Sequence, residues 1–121
     1  MASGTFSESD MNSDHIPMTP AEVATWLASD TPPRLLDVRE VDEHEIVALP
    51  GSTLIPLSQI PERISEIASW KEEDVVVYCH HGVRSLHAIT WLRQHGFTKL
   101  RNLSGGIDRW SMEIDPTLPR Y

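Results

Sequence analysis

The chain has 121 residues, 40% of them hydrophobic and 23% charged, with a formal net charge of −8. This length suits one folded domain, and no apolar run approaches the roughly 20 residues that cross a bilayer, so a membrane protein is not expected. The acidic balance, uninterrupted by any cluster of Lys or Arg, excludes the phosphate-neutralising surface that nucleic-acid binding requires.

The first segment, residues 1–14, is rich in Ser, Asp, Glu and Asn and has neither a basic leader nor an apolar stretch. This composition predicts a flexible tail rather than a signal peptide, and hence a cytoplasmic protein whose single domain spans residues 15–121. Cys79 is the one cysteine of the chain, which excludes an internal disulfide, a CxxC redox pair and a cysteine-rich metal site.

The first predicted element is a helix that begins at residues 19–22. Thr19 suits the capping position, Pro20 the first helical position, and Glu22 the position three residues after the cap. The apolar residues that follow share one helical face: Val23, Trp26 and Leu27.

From residue 35 onward, predicted strands alternate with predicted helices. Short apolar or β-branched runs between turn residues indicate buried strands at 35–38, 54–55, 75–78 and 100–103. Apolar residues at helical spacing indicate a helix over 60–70 (Ile60, Ile64, Ile67, Ala68), a second with the face Leu86, Ala88, Ile89 and Leu92, and a short one over 107–112. This alternation favours a parallel sheet with helices on both faces.

Cys79 directly follows the predicted strand 75–78, and ligands of parallel sheets bind beyond the carboxyl ends of strands. A thiolate rather than a thiol is the nucleophile, and an ordinary thiol is only slightly ionised at neutral pH. Because a helix is predicted to begin near Arg84, the main-chain amides of residues 80–85 can turn inward and stabilise an anion. Gly82 suits this loop, since a residue without Cβ permits close approach or a positive φ.

The segment Cys79–Ser85 resembles the CxxGxRS loop of rhodaneses, and the flanking segments agree in order and spacing over about residues 16–115. Residues 35–40 with Glu43 look like the DVRE segment of that family, residues 49–52 with 55–56 are similar to its stretch ending in HIPGA, and residues 102–107 with Trp110 match its late NLxGG…W signature. One departure is Val47-Ala48, where many members have Gly-His. It puts the role of that His in doubt and leaves the nucleophile untouched.

The resemblance implies a five-stranded, mainly parallel sheet with helices on both faces. It also implies a two-step reaction, in which Cys79 takes a sulfane sulfur from a donor such as thiosulfate and a thiol, cyanide or a sulfur-acceptor protein then removes it. No metal or organic cofactor is implied. The substrate-binding residues that the match implies are those of the loop: His80, His81, Gly82, Val83, Arg84 and Ser85.

The residues themselves leave two roles in the loop open. Arg84 either binds an anionic donor or pairs with a carboxylate such as Glu43 and braces the loop. His80 and His81 could donate protons or stabilise a thiolate, but adjacent side chains point in different directions. We therefore expect at most one of them to face the sulfur, and we expect their main-chain amides to matter more.

Three charged residues near the predicted second strand suggest a structural role. Asp37, Arg39 and Glu43 resemble an acid–base pair with a guiding arginine, but we interpret them as a network of ion pairs and helix capping beside the site. His44, in the same segment, is expected at the surface. None of the four is predicted to take part in the chemistry.

Two other functions compete with sulfur transfer. Phosphatases and arsenate reductases of related fold cradle an oxyanion in a Cys-x5-Arg loop, whereas this chain has Cys-x4-Arg, which predicts a smaller cradle suited to a single sulfur atom. Binding modules of the rhodanese type recruit partners without catalysis and commonly lack the cysteine. This chain retains Cys79, Gly82 and Arg84, which favours catalysis, and a sulfur relay that docks on another protein remains compatible with it.

Overall fold

A five-stranded sheet forms the centre of the structure, a computed structural model that describes residues 16–121. Its strands in chain order are β1 (Pro17–Met18), β2 (Arg34–Asp37), β3 (Thr53–Leu54), β4 (Val75–Tyr78) and β5 (Leu100–Leu103). Neighbouring strands are all parallel, in the spatial order β1-β5-β4-β2-β3. The parallel sheet is therefore confirmed, and the expected tail at residues 1–14 lies outside the described residues.

The predicted bounds of four strands agree closely with the observed bounds. β4 and β5 have the predicted bounds, and β2 and β3 each begin one residue earlier than predicted. β1 had no prediction, because it is only two residues long and contains Pro17. It forms by pairing at the sheet edge, where Pro17 lies opposite Asn102 of β5.

The helices are α1 (Pro20–Leu27), α2 (Val41–Ile46), α3 (Ile60–Arg63), α4 (Val83–Gln94) and α5 (Gly106–Glu113). α1 has the predicted cap: the hydroxyl of Thr19 accepts from the Glu22 amide at 3.1 Å, and the Glu22 carboxylate accepts from the Thr19 amide at 2.9 Å. Within residues 16–121, none of these helices is long and apolar enough to cross a membrane.

Two helix predictions were wrong in detail. The predicted helix over 60–70 is one α-helical turn, α3, followed by 3₁₀ turns over Ile64–Trp70, because the backbone at Ile67 leaves the helical region with φ −121°. Ala68, expected on its inner face, is exposed. In α4, Leu86 is 46% exposed and Ser85 takes the inward position beside Cys79.

The two faces of the sheet carry separate apolar cores, because successive residues of a strand point to opposite sides. Val75 and Val77 pack in the cluster that contains the inner residues of α4. Val76 and Tyr78 pack in the cluster that contains the inner residues of α1 and α5. Cys79 belongs to the first cluster, so its side chain lies on the α4 side of the sheet.

The first turn of α5 lies against the segment that follows β4. The amide of Ile107 donates to the carbonyl of Cys79 at 2.9 Å, and the amide of Asp108 donates to the carbonyl of His80 at 3.1 Å. Gly106 lies at this contact with φ 64°, and a Cβ there would overlap the carbonyl groups of both Cys79 and His80. Main-chain contacts therefore fix where the Cys79 segment leaves the sheet.

We expect Gly106→Ala to destabilise the fold by at least about 2 kcal/mol more than Gly51→Ala, because the added methyl meets main-chain atoms that cannot move independently. Gly51 is a matched control: its φ is 79°, and a Cβ there meets nothing within 4 Å. Urea denaturation of the two variants measures the difference. Equal losses would contradict the proposed close approach.

Candidate active site

The sulfur of Cys79 is surrounded by donors from the start of α4. The Gly82 amide donates to Sγ at 3.1 Å and the Ser85 amide at 3.4 Å, while the Ser85 hydroxyl lies 3.4 Å away. Gly82 precedes α4 with φ 105°, which bends the chain around the sulfur, and Cys79 is only 1% exposed. Main-chain N–H groups aimed at one buried sulfur stabilise its anionic form.

Asn102 of β5 closes a ring of hydrogen bonds around this sulfur. Its Nδ2 donates to the carbonyl of Gly82 at 3.2 Å, which turns its Oδ1 toward Ser85, and the Ser85 hydroxyl donates a short hydrogen bond to that oxygen. In the sequence, Asn102 belongs to the segment 102–107 that matches the family, and no role was predicted for it. Its signal was a polar residue on the same face of β5 as the core residue Leu100, and Asn102 is here 5% exposed.

Arg84 pairs with Glu43 of α2. Its Nη1 and Nη2 donate to the two carboxylate oxygens at 2.7 and 2.9 Å. Of the two roles left open by the sequence, the structure therefore shows the pairing with a carboxylate that braces the loop. Hydrogen bonds from Arg84 lower the pKa of Glu43 to about 2, and the same contact raises the pKa of Arg84. Glu43 also accepts from the Glu40 amide, which caps α2.

Asp37 and Arg39 form a fully buried ion pair. The Arg39 Nη2 donates to Asp37 Oδ2 at 2.7 Å and its Nε to Asp37 Oδ1 at 3.0 Å, and Nη2 also reaches the carbonyl of Val47. His44 was expected at the surface, which was wrong: it is half-buried, and its Nδ1 lies 2.8 Å from Asp37 Oδ2. It lies there because α2 turns that residue toward the buried carboxylate.

Tyr121 joins the two ion pairs, and no role was predicted for it from the sequence. Its hydroxyl accepts from Arg39 at 2.8 Å and donates to Glu43 at 2.8 Å. Its ring stacks on His80 with centroids 3.9 Å apart and planes at 8°. Burial raises the pKa of Tyr121 to about 12, so the hydroxyl keeps its proton and remains a donor. No local pattern links residue 121 to the loop, so nothing in the sequence pointed to it.

The amides of Gly82 and Ser85 that donate to the Cys79 sulfur form what we call the sulfur cradle. The side chains of the two loop histidines are not part of it. His80 lies between the rings of Tyr121 and His81, and within the described residues its buried Nε2 has no hydrogen-bond partner. His81 is exposed, with Nε2 3.7 Å from Asp108. Within residues 16–121 neither imidazole hydrogen-bonds to the Cys79 sulfur, so the loop contributes to that sulfur through its amides.

One group of side chains has metal-ligand character. Ligand atoms of His80, His81 and Asp108 lie within 4.8 Å of one another. Both carboxylate oxygens of Asp108 already accept from Arg120, at 2.9 and 3.2 Å. A cation would have to displace that guanidinium, so the group is better described as an ion pair with two neighbouring imidazoles.

A cysteine that follows the central strand of a parallel sheet, with main-chain amides of the next helix directed at its sulfur, defines an α/β protein with a cysteine-centred anion site. The family model for the rhodanese-like domain matches residues 19–113. The chain therefore belongs to the rhodanese-like family, which confirms the resemblance found in its sequence.

Its relatives include proteins of different lengths. The chain is similar to the Rhodanese-like/PpiC domain-containing protein 12, chloroplastic, of Arabidopsis thaliana, with 40% identity over 90 residues that cover 73% of this chain and 30% of the relative. It is similar to a sulfurtransferase of Allochromatium vinosum, with 40% identity over 77 residues that cover 64% of this chain and 70% of the relative. The chain thus spans less than a third of the plant protein.

Solved structures give the same family. The human single-domain sulfurtransferase TSTD1 superposes with a TM-score of 0.71 at 27% identity, covering 81% of this chain and 96% of that one. This agreement over nearly the whole human chain confirms the α/β fold, with its five parallel strands, that the sequence predicted.

We expect Gly82→Ala to slow the alkylation of Cys79 by iodoacetamide at pH 7 by at least about tenfold, because an added Cβ disfavours the positive φ that aims the amide at sulfur. Gly96→Ala is the matched control, since Gly96 has φ 98° and lies just past the far end of α4. Rates from intact-mass time courses make the comparison. An equal slowing in both variants would show that general backbone strain is responsible.

The low pKa of Glu43 predicts a pH dependence of stability. The pKa falls from 4.5 to about 2 on folding, so ionised Glu43 stabilises the native state above pH 4.5, and this contribution is lost as the pH falls toward 2. The difference in unfolding free energy between wild type and Glu43→Gln should therefore be largest above pH 4.5 and shrink below it. Urea titrations across this range measure the difference, and a constant gap would contradict the assignment.

Proposed function

We propose that this protein is a sulfurtransferase that carries a sulfane sulfur as a persulfide on Cys79. The donation from the Gly82 and Ser85 amides to the buried Cys79 sulfur is the observation that carries the proposal. These donors favour the thiolate that must attack, and they remain in place when the thiolate becomes a persulfide. The family membership supports the same reaction class.

The reaction needs two displacements at sulfur. In the first, the Cys79 thiolate attacks the sulfane sulfur of the donor, a new S–S bond forms, and the rest of the donor leaves with the electron pair of the bond that breaks. In the second, an acceptor thiolate or cyanide attacks the outer sulfur and Cys79 leaves as a thiolate. Neither step changes the number of electrons held by the pair of reactants, so the chain needs no redox partner.

The start of α4 offers further donors for the transferred sulfur. The first N–H groups of a helix have no acceptor within that helix. In α4 these include the amides of Val83 and Arg84, beside the Ser85 amide that already donates to Cys79 Sγ. The outer sulfur of a persulfide lies one S–S bond, about 2 Å, beyond Sγ. We assign it to the space in front of these amides, where the N-terminal end of the helix favours an anion.

The side chains of the loop favour sulfur transfer over phosphate chemistry. A phosphatase loop directs its arginine at an oxyanion, whereas both terminal nitrogens of Arg84 donate hydrogen bonds to the Glu43 carboxylate. The loop also has one residue fewer between Cys79 and the arginine than the Cys-x5-Arg loop. Both features support a cradle for a single sulfur atom.

The acceptor is proposed to be a small thiol, cyanide, or a thiol of an acceptor protein. Val83 and Leu86, on the first turn of α4 beside the loop, are 63% and 46% exposed. Exposed apolar side chains next to a reactive group are suited to contact with a partner. A sulfur relay to a protein acceptor is therefore included in the proposed function.

Intact-mass spectrometry after incubation with sulfane donors tests this function. We expect wild type to gain the mass of one sulfur atom with thiosulfate or with an organic persulfide, and to lose it again when glutathione or cyanide is added. Cys79→Ala should gain nothing.

A matched control is Ser104→Ala, which alters a half-buried residue after β5 and leaves the cysteine in place. This variant should still be loaded. Absence of any adduct on wild type with every donor would refute the sulfurtransferase proposal. Hydrolysis of a chromogenic phosphate ester that requires Cys79 would support the phosphatase reading in its place.

A further inference from the structure

The charged side chains beside the sulfur cradle determine which kind of sulfur donor fits. We call the region around Arg84, Glu43 and Tyr121 the mouth of the cradle. Arg84 is the only arginine or lysine of the segment Cys79–Ser85, and it lies on the first turn of α4, directly before Ser85, whose amide donates to the Cys79 sulfur. Its positive charge is opposed by Glu43, which accepts from both of its terminal nitrogens. The one permanent cation of the loop is therefore neutralised.

Glu43 is held in this position by contacts that do not depend on Arg84. The Glu40 amide donates to its Oε1 at 3.0 Å, and the Tyr121 hydroxyl donates to its Oε2 at 2.8 Å. The Tyr121 hydroxyl is itself fixed by a hydrogen bond from buried Arg39. An anion that approaches Arg84 must therefore compete with a carboxylate that is anchored by a helix cap and by a tyrosine.

The neighbouring guanidinium groups are paired in the same way. Arg39 is buried against Asp37, and Arg120 donates twice to Asp108. Residues 1–15, which the structure does not describe, contain neither Lys nor Arg, so they cannot supply a guanidinium or an ammonium side chain. Within the described part of the chain, each arginine that contacts the network around the loop faces a carboxylate.

His80 does not replace the missing positive charge. Its ring is covered by Tyr121 and its Nε2 is buried, and burial lowers its pKa below the ordinary value of 6.5. The imidazole is therefore neutral at pH 7 and above. The mouth of the cradle combines neutralised ion pairs with main-chain donors that point at a single sulfur atom.

Sulfane donors differ in the charge that this mouth must accept. With thiosulfate, the Cys79 thiolate attacks the outer sulfur of a dianion, the S–S bond of thiosulfate breaks, and sulfite leaves as a dianion with the bonding pair. With a protonated organic persulfide, R–S–SH, the thiolate attacks a neutral sulfur, the S–S bond breaks, and one RS⁻ leaves while the proton stays on the transferred sulfur. Only the first route brings two negative charges to a site where, within residues 16–121, each arginine beside the loop is paired with a carboxylate.

On the basis of these charges, and resting on the function proposed above, we propose that the donor class of this protein is a thiol-bound persulfide rather than an inorganic dianion, and that Glu43 and Tyr121 determine this specificity. Glu43 neutralises Arg84, and Tyr121 holds Glu43 in place. Neither residue touches the sulfur, so both act through Arg84.

The test compares two donors in matched variants. The donors are thiosulfate and the persulfide of N-acetylcysteine methyl ester, whose carrier is uncharged, and the readout is the second-order rate of sulfur loading on Cys79. Glu43→Gln frees the charge of Arg84, so the ratio of the thiosulfate rate to the persulfide rate should rise at least about tenfold. Tyr121→Phe should raise the same ratio by a smaller factor.

The control is Glu73→Gln, which frees Arg34 at the start of β2, and it should leave the ratio within about twofold of wild type.

A second measurement does not require sulfur transfer. Sulfate, a dianion that cannot react, should protect Cys79 from iodoacetamide in Glu43→Gln and not in wild type or Glu73→Gln. Equal protection in wild type and Glu43→Gln, or an unchanged donor ratio, would overturn the assigned specificity while sulfur loading itself still supported the proposed function. Failure of both donors to load wild type would instead overturn the proposed function, and the sulfate result would then decide the charge assignment alone.

Discussion

The hydrogen bonds from the start of α5 to the carbonyls of Cys79 and His80 are the constraint on which the site depends. They hold the chain where it leaves β4, and the close approach requires Gly106 to lack a side chain. From this fixed point the loop turns at Gly82 and delivers two amides to the sulfur. The cradle is thus built from main chain, so its geometry depends on backbone conformation more than on which side chains occupy the loop.

The charged network around the mouth has a different physical basis. Arg39 is fully buried and would be strongly destabilising without its partner, so the pair with Asp37 is obligatory once that arginine lies in the interior. Tyr121 connects this buried pair to the Glu43–Arg84 pair, and in doing so it links segments far apart in the chain. The network pairs Arg39 and Arg84 with carboxylates, and this pairing is the basis of the donor class proposed above.

Local patterns predicted the parts of the fold that local forces determine. The β-branched run before Cys79 gave the bounds of β4, and the capping residues gave the start of α1. β1 could not be predicted, because a two-residue strand exists only through its pairing with β5. The helix expected over 60–70 failed for a related reason: its apolar spacing fits a 3₁₀ segment as well, and packing decides between the two.

The site likewise combines a part that is local in sequence with parts that tertiary contacts bring together. The loop from Cys79 to Ser85 is contiguous in sequence and could be recognised there. Asn102 binds Ser85 from 17 residues away, and Tyr121 binds Glu43 from 78 residues away, so local sequence patterns do not reveal either contact. The central claim is that the loop amides hold the transferred sulfur. A crystal structure of the sulfur-loaded protein tests it most directly, and we expect the outer sulfur within about 3.5 Å of main-chain N–H groups at the start of α4. An outer sulfur that points away from these amides, or a sulfur bound elsewhere than on Cys79, would contradict the account.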